Sequence, residues 1–277
     1  MSTPQGNSGK IHLVGIGPGD AKYLPLAASE ALAESDVIVG FRAYIQQIEG
    51  LITSKEVVSM ELGQELERAA AAVDLAYAGK TVAVVSSGDA GIYGMSGPVF
   101  RVLTDRGWDG HSPSVLTVPG VSAMQAAAAV IGSPLMQDFC AISLSDLLTP
   151  WEKIRSRLEA AGQGDFVVAL YNPRSKRRQS QLLEAREILL KHRPGKTPVG
   201  LVGDAFRPGQ RVKITSLDEL EKDAEFVDMV TIVIIGNSTT YLHNGKVITP
   251  RGYEEKTGTG RFPDRKSTRL NSSHSEI

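Results

Sequence analysis

The chain has 277 residues, 42% of them hydrophobic and 22% charged, with a formal net charge of −1; that is enough apolar sequence for two compact domains. The balanced charge excludes nucleic acid as the main partner, since neutralising phosphates takes a basic excess, and no apolar stretch reaches the length that spans a membrane. The single cysteine, Cys140, excludes an intramolecular disulfide framework and fits a reducing cytoplasm.

The first nine residues are polar and rich in Gly, Ser and Pro, with neither an apolar signal core nor a basic flank, and read as a loose tail. A strand is predicted over 11–14, ending in the loop Gly15-Ile16-Gly17-Pro18-Gly19-Asp20. Helical spacing follows over 24–32, then a strand over 36–40 and a weaker one over 56–60. The alanine-rich segment 64–78 reads as a helix with Glu65, Glu67, Arg68 and Asp74 on its outer face. A β-branched strand over 81–85 runs into 86–95, a loop of small residues, before helical spacing resumes towards Arg106. The strand at 115–118 closes on Pro119-Gly120 and leads to a small-residue helix over 122–131. Strands alternating with helices through short turns describe a parallel-sheet α/β domain.

After Gly132-Ser133-Pro134 the pattern changes. A short strand over 139–143 precedes a helix to about Ala161, with Thr149 expected as its N-cap and Pro150 in its first turn. The strand at 166–171 runs into Asn172-Pro173-Arg174-Ser175-Lys176-Arg177-Arg178 and a helix to about His192. Further strands over 197–202, 210–215 and 228–236 give the second half a mixed, partly antiparallel character. These divisions put domains at 10–120 and 121–253, flanked by tails at 1–9 and 254–277. From Lys266 the sequence loses periodicity, so 266–277 is expected to be non-native and disordered.

Chemistry-bearing residues concentrate at strand ends. Ligands of open α/β sheets bind at the carboxyl ends of strands, and three small-residue loops fall there: 15–20, 86–95 and 118–123. Asp89 is the one acceptor-only side chain in the second of them, suited to hydroxyls or a cationic centre; as a strand-to-helix turn residue it could equally cap the next helix. The first loop matches a dinucleotide fingerprint poorly. Asp20 stands where a small residue is needed, its charge would repel a pyrophosphate, and the second strand ends in Gly40-Phe41 without a ribose acid. A nicotinamide-dependent oxidoreductase is therefore the more distant alternative. The basic run Arg174, Lys176, Arg177, Arg178 reads as a solvated helix start or, since cations sit poorly at a helix N-terminus, as a sign of an anion nearby. Cys140 opens the apolar Ala141-Ile142 run and suits a buried structural thiol. His12, His111, His192, His243 and His274 are scattered without metal-ligand spacing, and no metal is expected.

The motifs Val14-Gly15-Ile16-Gly17-Pro18-Gly19-Asp20, Gly88-Asp89-Ala90-Gly91-Ile92-Tyr93-Gly94 and Val118-Pro119-Gly120-Val121-Ser122-Ala123 together resemble those of the tetrapyrrole methylases of cobalamin and sirohaem synthesis. Residues 138–151, Tyr171-Asn172-Pro173-Arg174-Ser175, 228–239 and Thr249-Pro250-Arg251-Gly252-Tyr253 are similar to the members that methylate C17 of precorrin-3B. The resemblance runs from about Lys10 to Tyr253. It implies a fold of two α/β domains with a ligand cleft between them, S-adenosylmethionine held in that cleft, and a homodimer.

Carried over by residue, the resemblance implies cofactor contacts at Pro18, Ser87, Gly88, Asp89, Ile92, Ser122 and Ala123, with Tyr171, Asn172 and Ala205 less firmly placed. It implies a proline-glycine loop, Gly17 and Gly19 included, shared with the tetrapyrrole at the cleft mouth, and Arg174, Arg177 and Arg178 available to substrate carboxylates. The implied reaction methylates C17 of precorrin-3B and contracts the ring, extruding C20 as an acetyl group to give precorrin-4. An anaerobic counterpart would use a cobalt-bearing substrate such as cobalt-factor III, and a carrier of the same shape would bind the macrocycle without consuming the cofactor. Contraction also needs a proton removed, for which Asp20, Tyr93, Asp146 and His12 are the candidates. Related uroporphyrinogen methylases carry an acid–arginine pair after the second strand; here Phe41 precedes Arg42, so no proton-accepting role transfers to that position.

Overall fold

The computed structural model describes residues 9–253, so the expected tails at 1–8 and 254–277, with the foreign-looking 266–277, lie outside the described residues. The first half comprises β1 (Lys10–Gly15), α1 (Leu26–Glu34), β2 (Val37–Phe41), α2 (Arg42–Gln47), β3 (Glu56–Met60), α3 (Glu65–Tyr77), β4 (Thr81–Ser86), α4 (Ser96–Asp105) and β5 (Ser114–Val118). Its five strands pair in the order β3-β2-β4-β1-β5, every pair parallel. Both faces of this sheet are covered, which is why β1, β2 and β4 read as continuous apolar runs. Ile11, Leu13, Val82 and Val84 pack against Ala69, Ala72, Val73 and Ala76 of α3 and Val99 and Leu103 of α4. Their alternates Val14, Ile38, Ala83 and Val85 pack against Ala28, Ala31 and Leu32 of α1.

The second half comprises α5 (Ala123–Ile131), β6 (Gly132–Ser133), β7 (Phe139–Ser143), α6 (Trp151–Gln163), β8 (Val167–Tyr171), α7 (Gln181–Leu190), β9 (Pro198–Gly203), β10 (Arg211–Ser216), β11 (Thr231–Ile235), β12 (Tyr241–His243) and β13 (Lys246–Ile248). Its main sheet runs β10-β9-β11-β8-β7. β7 and β8 are parallel, whereas β11 is antiparallel to both β8 and β9, so β7, β8 and β9 all end on the same edge. The mixed character predicted from the sequence is present. Helix α5 belongs to this half, with Met124, Ala127, Ala128 and Ile131 in one core with Val167, Ala169 and Ile234. Among the described residues no helix is long and apolar enough to cross a membrane.

Five local expectations change. Arg68 is not on the outer face of α3: it is 3% exposed and donates to Glu61 O at 2.7 Å and to Met95 Sδ at 3.3 Å. The basic run at 174–178 starts no helix: α7 begins at Gln181, so no helix dipole acts on those cations at its first turn. Thr149 is not the N-cap of α6; Pro150 holds that position at ψ 140° and the helix opens on Trp151. Asp89 caps no helix, because α4 starts seven residues later at Ser96. Last, β12 and β13 form an unpredicted hairpin on Asn244-Gly245, whose φ values of 46° and 73° are those of a two-residue primed turn. Cys140 is half-buried and free, and burial pushes its thiol pKa up, as suits a structural position.

Candidate active site

Because β4, β1 and β5 are adjacent and parallel, their carboxyl ends deliver three loops side by side. The loops touch through glycine. A Cβ on Gly120 would lie 2.1 Å from the Gly88 carbonyl oxygen, and one on Gly15 would lie 2.7 Å from the Gly120 nitrogen. Gly17 and Gly88 also form an isolated antiparallel bridge, with Gly88 N–H donating to Gly17 O at 2.7 Å and Gly17 N–H to Gly88 O at 3.0 Å. Asp89 completes the junction: its carboxylate accepts Gly91 N–H at 2.8 Å and Gly120 N–H at 2.9 Å. The glycines thus serve first to let three backbones cross, and only then to admit a ligand.

Opposite stand the carboxyl ends of β7, β8 and β9, which carry side chains instead. Tyr171, buried at the end of β8, accepts Met124 N–H at 3.0 Å on its hydroxyl, beside the α5 N-cap Ser122. Burial pushes the Tyr171 pKa up, opposed by the bonds from Met124 and Ser122. Asn172 follows in the left-handed region at φ 50°, its amide donating to Ser143 Oγ at 3.0 Å. Asp204 and Phe206 after β9 are also left-handed, at φ 50° and 59°, as is Tyr93 at 54°. Among the described residues, four of the six non-glycine residues with positive φ therefore lie at this junction, where strain collects at functional sites.

Two sets of contacts join the halves. Tyr93 donates its hydroxyl to Ala141 O at 3.1 Å, on the edge strand β7, and its ring centroid lies 4.9 Å from that of Tyr171. Burial raises the Tyr93 pKa, with a bond from the Ser143 backbone opposing it. On the other side Arg207 donates through Nε to Pro18 O and through Nη2 to Ser87 Oγ at 2.7 Å, while Phe206 stacks on Tyr23 at 4.2 Å.

The junction gathers Pro18, Gly17, Ser87, Gly88, Asp89, Ser122, Ala123, Tyr171, Asn172 and the loop holding Ala205, with Ile92 37% exposed beside Tyr93. Gly19 makes room for Arg207: a Cβ there would meet its Nε at 2.7 Å. Asp20 accepts Lys22 N–H at 2.9 Å and lines a small surface pocket with Gly19, Ala21 and Gln47. Asp146 accepts from Gln181 at 3.1 Å and lies 3.8 Å from Arg178. His12 is not brought here. It is 3% exposed near the amino end of β1, with Ala31 O at 3.4 Å and Glu34 at 3.7 Å. Arg174 is engaged by Ala224 O and Glu225 at 2.7 and 2.6 Å, and Arg178, 6% exposed, donates to Asn172 O at 2.9 Å; Arg177 is exposed. Sequence reading missed Arg207, Phe206 and Tyr23. The turn after β9 ends in Pro208-Gly209, a signal for a tight loop but not for its partners.

These residues fit a sulfonium nucleoside. A carboxylate offers about four lone-pair sites, so Asp89 keeps acceptor capacity beyond its two N–H bonds. In the first turn of α5, Met124 and Gln125 donate to Tyr171 and Ser122, which leaves the Ala123 N–H for an outside acceptor. Exposed Ile92 and Tyr93 supply apolar surface for a flat ring.

The family model described as Tetrapyrrole (Corrin/Porphyrin) Methylases matches residues 10–221. A relative from Priestia megaterium named "Cobalt-factor III methyltransferase" is 48% identical over 90% of this chain, which spans only 46% of that longer protein. A Salmonella typhimurium relative named "Probable cobalt-factor III C(17)-methyltransferase" is 44% identical over 88% of this chain and 99% of its own. The "Precorrin-3B C(17)-methyltransferase" of Sinorhizobium sp is 41% identical over 89% of this chain and 98% of its own. Among solved structures, that of the methyltransferase CobJ superposes with a TM-score of 0.79 at 35% identity, covering 88% of this chain and all of that one. With the family match over most of its length and the same two-sheet architecture, the chain belongs to the tetrapyrrole (corrin/porphyrin) methylases.

Proposed function

We propose that the protein uses S-adenosylmethionine to methylate C17 of a precorrin-3-type macrocycle, with contraction of the ring. The observation that carries this reading is the convergence of six strand ends, β4, β1 and β5 against β7, β8 and β9, around Asp89 and the first turn of α5. When bound, the cofactor supplies a methyl group already activated on sulfur, so the protein's task is alignment. Asp89, held from two sides, presents a fixed acceptor to hydroxyls or the cationic centre. Ala123 offers a backbone donor, while Tyr171 and Asn172 bound the site from the second half. Asp20 and Asp146 remain as bases for contraction, since Tyr93 already donates its hydroxyl to β7 and His12 lies at the other end of β1. Arg177 is left to meet a substrate carboxylate, because Arg174 is engaged by Ala224 and Glu225 and Arg178 by the Asn172 carbonyl.

The higher identities to relatives named for cobalt-factor III, 48% and 44% against 41%, favour the cobalt-bearing substrate as the first to test. A division into domains 10–120 and 121–253 is supported by α5 packing on the second sheet. A cytoplasmic homodimer completes the proposal, with sedimentation as its check.

The test is an anaerobic incubation with S-adenosylmethionine and either cobalt-factor III or precorrin-3B, read by mass spectrometry. One methyl gained by either macrocycle supports the reading and names the branch; gain by neither overturns it. In Asp89→Ala, binding of S-adenosylhomocysteine is expected to fall together with turnover. Lost turnover with intact binding would remove Asp89 from the cofactor site.

A further inference from the structure

Arg207 is the side chain that most directly ties the two halves together, and it reaches residues that no local pattern joins to it. Its Nε donates to Pro18 O and its Nη2 to Ser87 Oγ at 2.7 Å, while Asp204 of its own loop lies 3.8 Å from Nη1. Both acceptors are on the glycine loops of the first half, at the ends of β1 and β4. The guanidinium also reaches the neighbourhood of Tyr44 in α2, where its charge opposes the rise in pKa that burial gives that tyrosine. Gly19 is compatible with this approach because it has no Cβ; one would come within 2.7 Å of Nε and 2.9 Å of the arginine's Cγ. On the same loop Phe206 stacks on Tyr23 at 4.2 Å with the planes 27° apart.

The backbone shows what this engagement costs. Asp204 and Phe206 both hold φ near +50 to +60°, uncommon for side chains other than glycine, and two such residues within three positions need outside contacts to persist. Arg207 supplies them against Pro18 and Ser87, and Phe206 against Tyr23. A planar guanidinium suits the task, since it can donate to a carbonyl and a hydroxyl simultaneously from a rigid fork, which a single ammonium does less well.

We infer that Arg207 is a positioning residue for the cofactor: it fixes the Gly17-Pro18-Gly19 loop and the Ser87 hydroxyl in one register across the cleft, before any ligand arrives. The inference rests on the proposed function for the identity of the ligand, though not for the existence of the clamp. It assigns to the second half a direct part in shaping the glycine loops. Removing the clamp frees the loop to move and makes binding reorder it, so the loss falls on affinity more than on the chemical step.

The experiment compares the full-length protein with Arg207→Met and Arg207→Lys. Calorimetry reads binding of S-adenosylhomocysteine, and hydrogen exchange of the ligand-free proteins reads the amides of residues 17–23. Arg207→Met is expected to bind about tenfold or more weakly, the size of one lost bond from a charged donor, and to exchange faster at 17–23, with only a small fall in the thermal midpoint. Arg207→Lys, keeping the charge and one contact, should recover part of both. In the methyltransfer assay KM for the cofactor should rise more than kcat falls. Wild-type affinity in Arg207→Met, or unchanged exchange at 17–23, overturns the inference. If the wild-type protein binds no S-adenosylhomocysteine, the functional reading falls, while the exchange data still decide the clamp.

Discussion

The two edges that face each other across the cleft are built by opposite means. The first is backbone: Gly15, Gly17, Gly88 and Gly120 cross within van der Waals contact, and one carboxylate, Asp89, ties two of the loops through their N–H groups. The second is side chain: Tyr171, Asn172, Arg178 and Arg207 project from strand ends whose loops hold unusual φ angles. A parallel sheet buried on both faces leaves only its strand ends to carry function, and three adjacent ends crowd unless their residues are small. In the mixed sheet the antiparallel strand β11 separates β8 from β9, so their loops are spaced apart and long side chains fill the gap. One edge is rigid through close packing, and the other is held by bonds that single substitutions can cut.

The largest effect should come from the crowded edge. Gly120→Ala puts a methyl group against the Gly88 carbonyl oxygen, which cannot yield without moving the β4 loop. A loss of about 3 kcal/mol in denaturant unfolding is expected, at the upper end of overpacking costs. A loss below about 0.5 kcal/mol would show that the three loops have room to separate, and the contrast between the edges would end there.

An intermediate effect is expected at Tyr171, where the two constructions meet. Tyr171→Phe leaves the Met124 N–H without its acceptor and should cost about 1–2 kcal/mol. It should also change the response to alkali. Burial raises the pKa of Tyr171, as it does for Tyr93 and Tyr44. A raised folded-state value means the fold favours the neutral phenol. That contribution is complete below the unfolded tyrosine pKa of about 10 and disappears as pH climbs through the higher folded value. Unfolding free energy should therefore decline above about pH 10, and less steeply in Tyr171→Phe. Equal slopes would mean that the hydroxyl is wet.

The smallest effect tests the same contrast from the other side. Gly97, within α4, has open space for 4 Å around the position a methyl carbon would take, and no left-handed φ. Gly97→Ala should stabilise by about 0.5 kcal/mol, since only helix propensity is at stake. Any destabilisation would show that glycine content, rather than the crossing at Gly15, Gly88 and Gly120, sets the response.

Much of this was legible along the chain. Alternating strands and helices at 11–131 specify a parallel sheet, because connections between parallel strands need a crossover helix. The glycine loops announced the site because small residues after an apolar strand are a local signal, and Asp89 stood out as the only carboxylate of the 86–95 loop. The basic run at 174–178 was legible only as charge. Its cations proved to be divided, with Arg174 on Glu225, Arg178 on the Asn172 carbonyl and Arg177 exposed, and no spacing rule separates those fates. The Asn244-Gly245 hairpin carried its signal in plain view, two residues that accept positive φ between short apolar segments.

Sequence by itself determined most of the elements, the parallel first sheet, the mixed second one and the three loops, because each follows from periodicity or from sterics within a few residues. Only the tertiary structure decided which side chains close the site. Arg207 meets Pro18 across 189 residues and Ser87 across 120. Such a contact leaves no periodic trace, since it depends on how two distinct sheets face each other rather than on anything either segment prefers alone.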